Sequence, residues 1–400
     1  MYLCRMMRRW FLMMMFVLTT VDSFGQIKRY DTDFFVSQRN FLFAVPLEVE
    51  RGQLYVTLDF NGRLCRFKLD TGASQGILYD DVLLPGVRTL GTIESEDAAG
   101  RVRQMKTVQL PPFRLGPLTI NGYKVQHIHR SIVRRGEDGI IGFALFNKGI
   151  AARIDVRENQ LTLTDRRDHY AYTPGEALKY HLRKHVPYIK ISPFTGIEDE
   201  VLFDTGSPLP YAVNAKTFVQ MKSRHPEIAD QIEGTTYGSH AIGHFGTERS
   251  GQITFLALRR LLWGSFAFRE VNCTTVNGGS HIGAPLLDYG ALVINPFRRQ
   301  LVFQPYDGTT SVTVANRLHD IVIVERNGRA MIGMVMHDGK AWQAGFRSNC
   351  IIEQVNGQPL TFQQFLSYRW VRNQEYQFTL LLPNGMLTTL RAFWPLQYNQ

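Results

Sequence analysis

The sequence predicts a mainly β chain built by internal duplication, two β-rich lobes followed by a smaller module at the C-terminus. Three observations carry that expectation. The tripeptide Asp-Thr-Gly occurs twice, as Asp70-Thr71-Gly72 and Asp204-Thr205-Gly206, 134 positions apart. Each copy closes a pair of alternating runs joined by a turn, the pattern of a hairpin. After Tyr306-Asp307-Gly308-Thr309-Thr310 the pattern changes and short strand-like runs resume in a different order.

At the N-terminus, Arg5, Arg8 and Arg9 precede an apolar run from Trp10 to Val21, and Ser23-Phe24-Gly25 offers small residues before Gln26. Residues 1–25 therefore read as a cleavable signal peptide. A bilayer-spanning helix needs about 20 apolar residues, which this run lacks, and no later segment supplies them. Cys4 precedes the apolar run, where a lipid-attachment cysteine would not stand. The expected mature chain is exported and has no stable membrane span.

With 44% hydrophobic and 20% charged residues the chain has an ordinary globular composition. Its formal net charge of +10 falls to +8 once residues 1–25 are removed. The basic residues come in scattered pairs, Arg134-Arg135, Arg166-Arg167, Arg259-Arg260 and Arg298-Arg299, with no long basic run. That argues against a nucleic-acid partner and for a mildly basic surface. Cys65, Cys273 and Cys350 remain after processing; an odd, dispersed set is no disulfide framework, and at most one bridge can form. No His/Cys cluster has metal-ligand spacing, so neither metal nor other cofactor is expected.

In the first lobe (26–172), Leu54–Leu58 and Cys65–Leu69 flank a turn at Asn61-Gly62 and lead into Asp70. In the second (173–307), Pro187–Ile191 and Val201–Phe203 flank Thr195-Gly196 and lead into Asp204. Asp138-Gly139-Ile140-Ile141-Gly142 then precedes strand-like runs at Ala152–Val156 and Asn159–Leu163. Its counterpart is His281-Ile282-Gly283, followed by Leu292–Asn295 and Arg299–Phe303. The interval from aspartate to the later glycine is 72 residues in one half and 79 in the other. Each lobe should be all-β with one or two short helices.

On these residues the chain resembles the aspartic peptidases. Asp70-Thr71-Gly72-Ala73-Ser74 with Ile140-Ile141-Gly142, and Asp204-Thr205-Gly206-Ser207-Pro208 with Ile282-Gly283, match the family's two loops and their bracing segments. His281 replaces the first hydrophobic residue of the second brace. The short lobes look more like exported bacterial retropepsin-like proteins than like pepsin, and the resemblance spans roughly residues 40–305. It implies a bilobal double β-barrel, a periplasmic or secreted location and an aspartic-type endopeptidase. Asp70 and Asp204 would be catalytic, and Thr71, Gly72, Ala73, Thr205, Gly206 and Ser207 would support their loops. Ile141, Gly142, Ile282 and Gly283 would brace those loops. A monomer suffices, because one chain carries both aspartates.

Two carboxyls within about 3 Å cannot both ionise, so one keeps a proton while the other acts as base. Gly72 and Gly206 permit a close approach that a Cβ would obstruct. Ser207 has a hydroxyl where Ala73 has none, which predicts a hydrogen bond to Asp204 that leaves the charge there and the proton on Asp70. The missing hydroxyl at Ala73 should lift the pair's pKa values and bring activity nearer neutral pH. Candidate flaps are Glu94 to Lys106, with Ala98-Ala99-Gly100 at the tip, and the glycine-rich stretch from Tyr237 to Gly246. His240 and His244 in that stretch are expected to meet solvent or substrate.

The C-terminal module (313–400) contains Ala341-Trp342-Gln343-Ala344-Gly345-Phe346 and Val355-Asn356-Gly357, and resembles a PDZ domain. Ser348-Asn349-Cys350 stands where Pro-Gly-Asp is usual, with Asn349 able to adopt the left-handed conformation in place of glycine. The resemblance implies a peptide or protein ligand added at a sheet edge. Trp342 and Trp370 are expected in its core. The expected partners are a polypeptide substrate and that ligand. The alternative function is a catalytically silent exported module that binds peptides or proteins through the lobes and the PDZ-like domain.

Overall fold

A computed structural model describes residues 33–97, 100–130, 136–239, 242–314, 320–371 and 373–394. The expected signal peptide, the flap tip at Ala98-Ala99 and His240 lie outside the described residues. The chain is mainly β, with 54% strand and 10% helix, and its strands form several sheets.

The duplication is visible in the backbone. Strands Gln53–Phe60 and Arg63–Asp70 form the first hairpin. Its turn places Asn61 and Gly62 at φ 55° and 92°, the left-handed pair that matches strand twist in a two-residue connection. Gly139–Gly142 lies parallel to the Asp70 strand and antiparallel to Gly76–Tyr79, with Gly142 opposite Asp70. In the second lobe, Val186–Phe194 pairs with Ile197–Asp204. His281–Gly283 lies parallel to that strand and antiparallel to Tyr211–Asn214, with Gly283 opposite Asp204.

The lobes share a six-stranded sheet in the order Glu176–Lys179, Gln300–Pro305, Gly290–Asn295, Ala151–Asp155, Gln160–Thr164, Leu42–Pro46. Ala152 pairs with Ile294 and Ile154 with Leu292 across the seam. One continuous core runs through both lobes and takes in Phe67, Leu69, Ile141, Phe143, Phe203, Tyr211, Trp263 and Phe303. Truncating one of its phenylalanines to alanine should cost about 3–5 kcal/mol. Each brace leads into a single 3-10 turn, Phe143–Phe146 or Ala284–Tyr289. Of the two lobes, only the second carries an α-helix among the described residues, Ala215–Arg224, capped where Asn214 Oδ1 accepts from the Thr217 amide at 3.0 Å.

The C-terminal module has its own sheet, ordered Ile321–Arg326, Arg329–Val335, Ile351–Val355, Glu375–Leu381, Leu387–Phe393. Helices Lys340–Gln343 and Phe362–Ser367 accompany it, around a separate core that includes Ile332, Phe346, Ile352, Phe378 and Trp394. Trp342 and Trp370 pack against that core. Asn349 adopts φ 65°. Cys350 is buried in the same core, which accounts for an apolar residue where an acid was expected. Cys65, Cys273 and Cys350, the three cysteines among the described residues, are buried and unbridged.

Candidate active site

Asp70 and Asp204 are the last residues of equivalent strands, and the braces put both loops at the lobe seam. Each carboxylate is first held by its own loop. Asp70 Oδ1 accepts from the amides of Gly72 at 3.0 Å and Ala73 at 3.1 Å, and Asp204 Oδ1 accepts from the Gly206 amide at 2.7 Å. The loops are then tied across the seam by a reciprocal set of four bonds. Thr71 Oγ1 donates to Phe203 O at 2.7 Å and accepts from the Thr205 amide at 2.9 Å. Thr205 Oγ1 donates to Leu69 O at 2.8 Å and accepts from the Thr71 amide at 3.0 Å. Both threonines are fully buried, so losing either hydroxyl leaves backbone groups unpaired.

The glycines decide how near the carboxyls come. A Cβ on Gly72 would lie 2.7 Å from Asp204 Oδ2, and one on Gly206 would lie 2.6 Å from Asp70 Cγ. No real side chain tolerates such contacts, so each glycine makes room for the opposite aspartate. Gly142 and Gly283 make the same kind of room a layer below: a Cβ on Gly142 would lie 2.8 Å from Ser74 C, and one on Gly283 would lie 2.5 Å from Ser207 O. Ile141 and Ile282 beside them are buried at 1% and 0% exposure. The two carboxyls share a hydrogen bond, while the Asp70 side chain keeps 15% of its surface exposed.

Charge around the pair is not symmetric. Lys68, two residues before Asp70, is buried, with Nζ 3.6 Å from Asp70 Oδ2 and 3.3 Å from the Gly206 carbonyl oxygen. Burial alone would raise the Asp70 pKa. Lys68, the hydrogen bond with Asp204 and nearby His244 outweigh it and hold Asp70 below its ordinary value. Asp204 moves the other way, pushed up to about 8 by burial and by the charge on Asp70. The surroundings therefore favour the charge on Asp70 and the proton on Asp204, opposite in direction to the assignment based on Ser207. The Ser207 hydroxyl is turned into its own loop, where it accepts from the Leu209 amide at 3.2 Å.

Lys68 is a site residue that the two motifs do not include. Its signal was present: Arg-Phe-Lys-Leu-Asp puts a lysine on the aspartate's face of a strand, where the second lobe has Leu202.

The lobe-one hairpin of Arg88–Glu96 and Val102–Gln109 reaches lobe two. There Asp97 Oδ2 accepts from the Phe245 amide at 2.7 Å, and Arg101 donates to Phe245 O at 3.4 Å and also to Thr247 O. These contacts hold the turn between Ile242–Gly243 and Gly246–Thr247 that carries His244 toward Asp70. The His244 ring lies 6.4 Å from that of Tyr79. The far side of the same loop meets the C-terminal module, with Thr247 Oγ1 donating to Glu325 O at 2.5 Å and the Ser239 amide to Gly333 O at 2.8 Å. Ile253, Phe255 and Met334 form a small shared core at that junction. No group of three or more His, Cys, Asp or Glu side chains arranged to hold a metal ion occurs among the described residues, and no described helix is long and apolar enough to cross a membrane.

No family model matches the chain, and no curated protein matches it. Among solved structures it is similar to an aspartic proteinase from Irpex lacteus, with 13% identity, a TM-score of 0.45, and coverage of 67% of this chain and 99% of that one.

Proposed function

We propose that the chain is an aspartic endopeptidase that hydrolyses peptide bonds with water activated between Asp70 and Asp204. The observation that carries this reading is the pair of hydrogen-bonded carboxyls, delivered by two duplicated loops and cross-braced by Thr71 and Thr205. Asp70, the charged member, removes a proton from water as its oxygen attacks the scissile carbonyl carbon. Asp204 donates its proton to the carbonyl oxygen, giving a neutral gem-diol. On collapse, Asp204 recovers a proton from one hydroxyl while Asp70 passes its own to the amide nitrogen. The C–N bond breaks and the pair returns to its starting state.

The rest of the proposal concerns setting. The mature protein acts as an exported monomer in the periplasm or outside the cell. The C-terminal module is PDZ-like and takes a peptide or protein ligand. The test is cleavage of casein from about pH 4 to about pH 8, with and without a statine inhibitor that mimics the gem-diol. Inhibited cleavage that disappears in Asp70→Asn and in Asp204→Asn is the expected result. Peptide binding without cleavage in the wild type would favour a silent binding module instead.

A further inference from the structure

The two aspartate strands differ most sharply two residues before the aspartate. Side chains two apart share a face of a strand, so Lys68 stands beside Asp70 as Leu202 stands beside Asp204. Lys68 is 2% exposed overall, and a lysine this buried is retained only with its charge matched. The partners present are Asp70 Oδ2 at 3.6 Å and the carbonyl of Gly206 at 3.3 Å. The ammonium thus bridges the seam, anchored to one lobe's carboxylate and the other lobe's loop.

The other side chains on the strands packed against Lys68 and Leu202 do not supply this asymmetry, while His244 and the second loop amide on Asp70, from Ala73, add to it. Position 140, paired with Lys68 on the bracing strand, is an isoleucine, and position 142, opposite Asp70, is a glycine. Tyr55, paired with Lys68 on the outer strand, lies beneath the Arg66 guanidinium. His281, beside Leu202, directs Nδ1 to Gly279 O at 3.1 Å. His244 approaches Asp70 from the lobe-two turn and adds to the same side when protonated.

We infer that Lys68 is a positioning residue that decides which carboxyl carries the charge, seating the anion on Asp70 and the acid proton on Asp204. This deepens the peptidase reading and rests on it. The pair's common geometry comes from the duplicated loops, and its division of labour comes from one unduplicated side chain. A cation within ~4 Å of a carboxylate typically lowers its pKa by about 1–3 units. Removing this cation should therefore move the acid limb of kcat/KM upward by about one pH unit or more.

The experiment compares the pH profiles of wild type, Lys68→Met and Lys68→Arg. The expected result is an acid limb shifted upward in Lys68→Met, with a smaller upward shift of the alkaline limb, and both limbs restored in Lys68→Arg. A packing role alone would reduce activity or melting temperature with both limbs in place, and that outcome overturns the inference. The same proteins, labelled with 13C at the aspartate carboxyls and assigned by Asp70→Asn and Asp204→Asn, give a readout free of catalysis. The Asp70 signal should titrate at higher pH in Lys68→Met than in wild type; an unmoved titration refutes the role. Should the wild type cleave nothing while that titration still shifts, the peptidase reading fails and the role of Lys68 stands. Lys68→Gln repeats the measurement should Lys68→Met not fold.

Discussion

Lobe one and lobe two hold their aspartates with the same components and surround them with different ones. The shared components are the strand that ends in aspartate, the glycine that admits the opposite carboxyl, the buried threonine and the brace that ends in glycine. The unshared ones are Lys68 against Leu202, Ala73 against Ser207, and helix Ala215–Arg224 in lobe two. What is duplicated fixes where the carboxyls are. What is not duplicated fixes how they titrate, because a pseudo-twofold pair has no intrinsic reason to place its proton on one side.

The largest expected effects remove the pair itself. Asp70→Asn and Asp204→Asn should each lower kcat/KM by about a thousandfold or more, since each removes a proton-transfer partner worth about 10²–10⁴. Equal losses with an unchanged fold, checked by circular dichroism, would show that the halves are equally needed despite their different charges. Full cleavage by either variant would remove that aspartate from the mechanism.

Next come the glycines. Gly72→Ala or Gly206→Ala would place a methyl against the opposite carboxyl, and overpacking of this kind costs about 1–3 kcal/mol. Both variants should lose stability in a thermal melt and lose most of their activity, because the carboxyls must separate. The threonines sharpen the comparison further. Thr71→Val and Thr205→Val each strand a buried carbonyl and a buried amide, for about 1–3 kcal/mol in urea unfolding. The double variant should cost less than the sum, because the two hydroxyls belong to one network.

The pH profile reads the two macroscopic pKa values of the pair. On the proposed mechanism, catalysis needs Asp204 protonated and Asp70 ionised. Asp204 is raised to about 8 and Asp70 is lowered, so kcat/KM should rise on the acid side as Asp70 ionises. It should hold through neutral pH and fall as pH climbs through the Asp204 value. An alkaline limb near the ordinary carboxylate range would show the proton to be unprotected.

How much of this was legible follows the same division. The hairpins, their turns, the loops and the braces were readable because alternation, Asn-Gly turns and glycine spacing are local signals that repeat. Gly142 opposite Asp70 and Gly283 opposite Asp204 emerge in the structure with that order. The charge assignment was not readable from the motif, because it depends on a residue outside the repeat and on which way one hydroxyl turns. Lys68 stands between Phe67 and Leu69 in a strand that also carries Arg63 and Arg66, and nothing local says that its ammonium ends beside Asp70 and within reach of the Gly206 carbonyl. The grip of Asp97 and Arg101 on the loop of Phe245 joins residues about 150 positions apart, and only the folded chain brings them together.

Ser207 provides the smallest expected effect and the most direct comparison with lobe one. A hydroxyl on Asp204 would stabilise its anion, and its removal would raise the pair's pKa values. Ser207 Oγ instead accepts from the Leu209 amide, a local turn bond that does not depend on the ionisation of Asp204. Ser207→Ala makes the second loop like the first at this position and should leave both limbs of the pH profile within about 0.3 units of wild type. The loss of one side-chain-to-backbone bond should cost about 0.5–1.5 kcal/mol in unfolding. Measured beside Lys68→Met, it separates two sources of asymmetry: a hydroxyl that shapes its own loop, and an ammonium that reaches across the seam.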